Sequence, residues 1–207
     1  MRAGRGIYAK DSGNLATGPG TSGADSERPE SWSTDGAATK VRPHVRLYLM
    51  RHGPAEDVAD TGRDFDRVLT PSGRTRVQRV AELLLAEGEA PNALQTSPLL
   101  RTQETAAIVA SVCKLPEPTI AERLAPGHDA RGFLDRLVTR AGLEDRIMIV
   151  GHEPDMSELT DYVLRRDARG EQVGFGGFEK AMVVVFEIAG EKRTLVHTLD
   201  PRTLSLR

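Results

Sequence analysis

Three short stretches of this 207-residue chain carry side chains suited to holding and attacking a phosphoryl group. They are Arg51-His52-Gly53, Ser97-Pro98-Leu99-Leu100-Arg101 and Gly151-His152-Glu153-Pro154. A guanidinium presents a planar fork of N–H donors that matches phosphate oxygens. An imidazole either attacks phosphorus or donates to oxygen. Each stretch follows a run that reads as a strand: Leu47-Tyr48-Leu49-Met50, Ala93-Leu94-Gln95-Thr96 and Ile147-Met148-Ile149-Val150. In a parallel α/β sheet the residues just past the strands' carboxyl ends face the crevice where ligands bind. If these strands are parallel neighbours, Arg51, His52, Arg101 and His152 meet in one pocket. Helix amino termini near Ser97 and Pro154 would add positive dipole ends and N–H groups.

The elements that must position these residues are legible in turn. The first strand runs from Val45 to Met50, between Pro43 and Gly53. Thr70-Pro71 has the cap-plus-proline form of a helix start, and Val77, Val80, Ala81, Leu84 and Leu85 then trace one apolar face that Gly88 and Pro91 end. Ser97-Pro98 repeats that start, with Thr102, Ala106, Val109, Ala110 and Cys113 on one face. Phe133, Leu134, Leu137 and Val138 mark a helix stopping near Gly142, and Met156, Leu159, Thr160, Val163 and Leu164 mark another beginning at Pro154. The stretch from Glu122 to His128 reads as a loop. Ala181 to Ile188 and Thr194 to Leu199 read as a strand hairpin. Strands alternating with helices specify an α/β layered fold with a mostly parallel sheet.

Composition narrows the function. With 28 basic and 30 acidic residues the formal net charge is −2, so a general nucleic-acid or anionic-membrane binder is not expected. One cysteine, Cys113, forms no internal disulfide and fits a reducing compartment. No apolar run approaches a membrane span and no secretory leader is recognisable, so a cytoplasmic location is the expectation. Residues 1–42 are rich in Gly, Ser, Thr, Ala and Asp, with scattered large apolar groups such as Ile7, Leu15 and Trp32. Such a segment buries too little to offset its ordering entropy, and is expected to be a disordered arm ahead of a domain over 43–207.

Leu49-Met50-Arg51-His52-Gly53, the run from Ser97-Pro98 through Arg101 to Thr105, and Val150-Gly151-His152 together resemble the histidine phosphatase superfamily, the phosphoglycerate mutase-like fold. The stretches Asp64-Phe65-Asp66-Arg67-Val68-Leu69-Thr70-Pro71-Ser72-Gly73 and Gly151 to Ser157 look more narrowly like its SixA-type phosphohistidine phosphatase branch. The resemblance spans roughly residues 45 to 200. It implies a three-layer α/β/α sandwich and a phosphatase that forms a covalent phosphohistidine at His52, with Arg51, Arg101 and His152 holding the phosphoryl oxygens. Neighbouring arginines would keep His52 neutral, as a nucleophile must be. No metal or other cofactor is implied, because the arginines and the second histidine supply the positive charge. Many relatives protonate an alcohol leaving group with a carboxylic acid. The best-placed residue for that is Glu122, with Asp57 a weaker choice. The implied partner is a phosphorylated substrate, with phosphohistidine on a protein as the leading class. A phosphomonoesterase or mutase acting on small metabolites is a second reading, and a catalytically silent phosphate-recognising module a third. Short loops around the pocket suit a protein surface.

Blander roles weigh against several residues. Arg101 could pair with Glu104 one turn away on a solvated helix face, but its Ser-Pro-led context favours phosphate. His44, His128 and His197 read as structural or solvent-facing, and Cys113 as core. Arg165 and Arg166 read as a solvated helix end rather than a basic rim. Zinc at His52 and His152 lacks completing ligands.

Overall fold

A computed structural model describes residues 44–142, 145–165 and 175–203, the side chain of Arg165 excepted. The expectations for residues 1–42 and for Arg166 lie outside the described residues.

The organising element is β1 (His44–Arg51), whose alternate side chains enter two separate cores. Val45, Leu47 and Leu49 face one, while Tyr48 and Met50 face the other. A strand covered on both faces must be apolar almost throughout, which is why its sequence is a run rather than an alternation. The same holds for β4 (Asp145–Gly151), with Ile147 and Ile149 in one core and Met148 and Val150 in the other. With β2 (Ala93–Thr96), β3 (Thr119–Ile120), β5 (Val183–Ala189) and β6 (Lys192–Leu199), they form a six-stranded sheet ordered β3-β2-β4-β1-β5-β6. The first four strands are mutually parallel, and β5 and β6 are antiparallel additions. Helices α1 (Pro71–Ala86) and α2 (Leu100–Cys113) cover the Tyr48 face. Helices α3 (Ala130–Arg140) and α4 (Asp155–Arg165) cover the Leu47 face. The result is the expected three-layer α/β/α sandwich with a sheet of mixed direction. No described helix is long and apolar enough to cross a membrane.

Register aligns the strand ends. Arg51 lies opposite Gly151, and Thr96 opposite Val150. The pairing continues one residue further, with His52 N donating to Gly151 O at 3.0 Å and Ser97 N to Val150 O at 3.1 Å. At the other edge, the buried Tyr48 hydroxyl accepts from Arg146 (2.8 Å from Nη2) and donates to Glu89 (3.0 Å), and Arg46 donates to Glu89 as well (2.9 Å). Burial pushes that phenol up to about 12, so it stays a neutral donor.

Three expectations need correction. Ser97 does not cap α2. The helix starts at Leu100 with Leu99 at the N-cap, because the Ser97 backbone still belongs to the strand ladder and the chain turns only after Pro98. Likewise α4 starts at Asp155, one residue after Pro154. The loop between α2 and α3 also holds more order than its composition suggests: β3, and a 3-10 turn over Glu122–Leu124. Thr70 does cap α1, accepting from Gly73 N at 3.0 Å.

The start of α1 is pressed against the loop after His52. A Cβ on Gly73 would stand 2.0 Å from Pro54 O, and the Pro54 carbonyl is itself held by Thr70 N at 3.0 Å. Gly73→Ala should therefore displace the Pro54 backbone and lower the urea unfolding free energy by about 1–3 kcal/mol. A loss below about 0.5 kcal/mol, the scatter of surface changes, would show that this contact yields freely.

Candidate active site

The aligned strand ends bring together all four residues singled out from the sequence. His52 (6% exposed), Arg101 (4%) and His152 (3%) are buried there, beside the partly buried Arg51. The two imidazole rings stand 5.3 Å apart between centroids, tilted by 57°.

His52 Nδ1 lies 2.7 Å from Gly53 O. A carbonyl oxygen only accepts, so Nδ1 carries the ring's proton and Nε2 keeps its lone pair. Burial, then the nearby Arg101, Arg51 and Lys180, hold the ring's pKa down to about 4 against the hydrogen bond to Gly53, so it is neutral at pH 7. Gly53 is fixed in turn: its N–H donates to Thr105 Oγ1 at 3.1 Å, and Thr105 donates to Arg101 O at 2.7 Å. A Cβ on Gly53 would sit 2.6 Å from Val77 Cγ2, so the turn after His52 fits tightly against α1.

His152 Nε2 lies 2.8 Å from the fully buried Ser97 Oγ. Burial, then Arg101, His52 and Arg51, bring its pKa down to about 3. Arg101 donates from Nη1 to Asp64 O (2.8 Å) and from Nη2 to Asp64 Oδ2 (3.1 Å), so the helix-surface pairing with Glu104 is not formed. Glu104 instead accepts from Leu69 N and Arg74, each at 2.7 Å. Asp64 also faces Arg67 at 2.8 Å. Although its slight burial acts the other way, Arg101 and then Arg67 hold its carboxyl below the ordinary value. Arg51 donates from Nη1 to Phe178 O at 2.5 Å.

Three buried nitrogens of this cluster have no hydrogen-bond partner: Arg51 Nε, Arg101 Nε and His152 Nδ1. An unpaired buried polar nitrogen costs about 1–3 kcal/mol, so the cluster holds unmet hydrogen-bonding capacity around His52. Among the described residues, no group of three or more His, Cys, Asp or Glu could hold a metal ion.

The structure does not join Glu122 to this cluster. It is exposed, and it lines a separate groove together with Ile120, Arg123 and α3 residues. It follows β3, which with sheet strands about 4.8 Å apart lies three spacings, about 14 Å, from β1. Asp57 is exposed in the loop after β1. Sequence reasoning missed Ser97 as the partner of His152, Asp64 as the partner of Arg101, and Lys180 as a further cation near His52. Ser97 and Asp64 lay inside motifs read for helix starts and family likeness. Lys180 had no local signal.

Fold and site define a phosphate-binding α/β protein with a buried neutral histidine at its centre. The chain belongs to the histidine phosphatase superfamily (branch 1), whose sequence profile matches residues 47–125. An uncharacterized protein of Picosynechococcus sp. (strain PCC 7002) is 35% identical over 155 residues, covering 74% of this chain and 91% of the relative. Among solved structures, the protein histidine phosphatase SixA complexed with tungstate is similar at a TM-score of 0.65 and 21% identity, covering 77% of this chain and 99% of that one. A mycobacterial glucosyl-3-phosphoglycerate phosphatase gives 0.57 at 19% identity, covering 73% and 97%. An Entamoeba histolytica phosphoserine phosphatase in complex with phosphoserine gives 0.57 at 15% identity, covering 78% and 100%.

Both depressed histidines tie stability to pH. Each ring takes a proton more readily in the unfolded chain, near 6.5, than in the fold, near 4 for His52 and 3 for His152. Protons therefore favour unfolding. The neutral rings' contribution is fully present above about pH 6.5 and drains away as pH falls toward 4 and then 3. Replacing both with Asn should flatten the unfolding free energy between pH 6.5 and 4. An unchanged slope would show that other groups carry the pH dependence.

Proposed function

We propose that this protein is a phosphatase that uses His52 as a covalent nucleophile and acts on phosphohistidine borne by a protein. The observation that carries the reaction is the His52 Nδ1 hydrogen bond to Gly53 O, which leaves a neutral Nε2 lone pair beside three partnerless N–H positions. In the first step Nε2 bonds to phosphorus. The bond from phosphorus to the leaving atom breaks with its electron pair, and the leaving atom takes up a proton. In the second step water attacks phosphorus, the P–N bond to His52 breaks, and inorganic phosphate departs. Arg51 and Arg101 hold the phosphoryl oxygens, and their charge stabilises what develops in flight. With the Ser97 hydroxyl donating to His152 Nε2, the proton of that ring sits on Nδ1, the partnerless atom, where it serves a phosphoryl oxygen. The cations of the cluster do this without a metal ion.

One feature supports a protein-borne substrate. SixA, which is named a protein histidine phosphatase, is matched over 99% of its length. The solved phosphatases of glucosyl-3-phosphoglycerate and phosphoserine share the fold, and small esters are the competing class. We propose that the domain over 43–207 suffices for catalysis, with 1–42 an arm outside it, and that the protein works in the cytoplasm.

The test is a side-by-side comparison of kcat/KM on a phosphohistidine protein, phosphoserine, phosphoglycerates and sugar phosphates, without added metal. The phosphohistidine protein should be preferred, and His52→Ala should abolish turnover on every member. Activity surviving in that variant removes His52 as nucleophile, and a clear preference for a small ester moves the substrate class.

Glu122 lines a groove apart from His52, out of hydrogen-bond reach of a leaving group there, so it does not serve as the acid. Glu122→Gln should leave turnover of alkyl phosphates and of phosphohistidine alike unchanged. A loss of about tenfold or more on alkyl phosphates alone, the low range for general acid catalysis, would restore it as the acid.

A further inference from the structure

Beside the active site, but not part of it, lies a groove of about 410 Å³ between the β2–β3 corner of the sheet and α3. Its apolar surface is Ile120, which is 50% exposed, with the half-buried Phe133 and Leu137. Its charged lining is Arg123, Arg136, Arg140 and one acid, Glu122. Arg136 and Arg140 are four residues apart on α3, hence neighbours on one helix face. Neither has an ion-pair partner among the described residues, whereas Arg123 lies 3.6 Å from Asp129. A locally cationic groove with an apolar base is unusual on a chain whose net charge is −2. The groove adjoins the catalytic edge: Ala121 in its lining donates through its N–H to Thr96 O at 2.8 Å, and Ser97, the next residue, contacts His152.

We propose that this groove docks an acidic, extended segment of the phosphohistidine-bearing protein, a partner contact that rests on the substrate class proposed above. Charge complementarity selects this occupant. Uncompensated guanidiniums favour carboxylates, and the exposed apolar patch takes a side chain between them. The arginines are exposed rather than buried and convergent, which suits a polypeptide more than a small molecule, whose site needs enclosed, precisely aimed polar groups. The sheet ends at β3, so a segment can lie along its outer edge. Pro116 and Pro118 confine any backbone pairing to two residues and leave recognition to side chains.

The test uses two phosphohistidine peptides that differ only in their flanks, glutamate against lysine, with an aryl phosphate as the small substrate. The wild type should favour the glutamate peptide by about tenfold in kcat/KM, with a salt-sensitive KM. Arg136→Glu with Arg140→Glu should erase that preference and leave the aryl phosphate unaffected. A preference that survives the double variant, or none in the wild type, overturns the proposal. If neither peptide is hydrolysed while the aryl phosphate is, the substrate class fails. The groove is then judged alone, by fluorescence anisotropy of an unphosphorylated glutamate-rich peptide. Binding lost in the double variant upholds it, and equal binding by both proteins overturns it. A concentration-dependent dimer that the double variant abolishes would assign the groove to a second copy of this chain and overturn it too.

Discussion

The parallel ladder joining β1, β4 and β2 is the constraint from which the site follows. Its register sets Arg51 against Gly151 and Thr96 against Val150, so three chain segments leave the sheet at one level. A slip of one residue in β1 would turn Leu47 and Leu49 into the core now filled by Tyr48 and Met50, and would carry His52 away from His152. Register is held by burial on both faces. It is held also by the hydroxyl of Tyr48, tied through Arg146 and Glu89 at the opposite edge. The placing of the strand ends is thus a consequence of core packing.

Electrostatics runs against stability at this edge. Two imidazoles are buried beside Arg51 and Arg101, and Arg51 Nε, Arg101 Nε and His152 Nδ1 lack partners. Asp64 answers part of this charge at Arg101, yet each unpaired buried group still costs free energy. The same arrangement explains why His52 and His152 are neutral: a proton on either ring would add another cation to a buried, already positive space.

Much of this was legible in the residues. The apolar runs before Arg51 and Gly151 betrayed central strands, and the helix faces from Val77 to Leu84 and from Met156 to Val163 follow a period that few other arrangements share. Side-chain partnerships were harder to see. Ser97 before proline has the local form of a helix cap, and only the strand pairing of its backbone with Val150 shows that its hydroxyl is turned to His152 instead. Asp64 and Arg101 are 37 residues apart, and nothing local couples them. β3 is two residues long and preceded by Pro116 and Pro118, too short for any periodicity to register. Three-dimensional pairing decided each of these cases.

The contact between Asp64 and Arg101 admits two meanings, and its geometry separates them. A carboxylate resting on this guanidinium could be a stand-in that an incoming anion must expel. Arg101, however, also donates to the backbone carbonyl of Asp64 at 2.8 Å, and a carbonyl cannot swing aside as a side chain can. Asp64 is moreover bound by Arg67, which itself donates to Glu56 O at 3.0 Å. A loop tied down by both main chain and side chain is a brace. It occupies the two Nη ends of the Arg101 fork and leaves Nε–H, the buried edge, without a partner. A guanidinium has five donors in one rigid plane, so holding it from one side aims the other. The loop after β1, irregular as its sequence looks, thus does for Arg101 what Gly53 does for His52: it fixes which nitrogen is left without a protein partner.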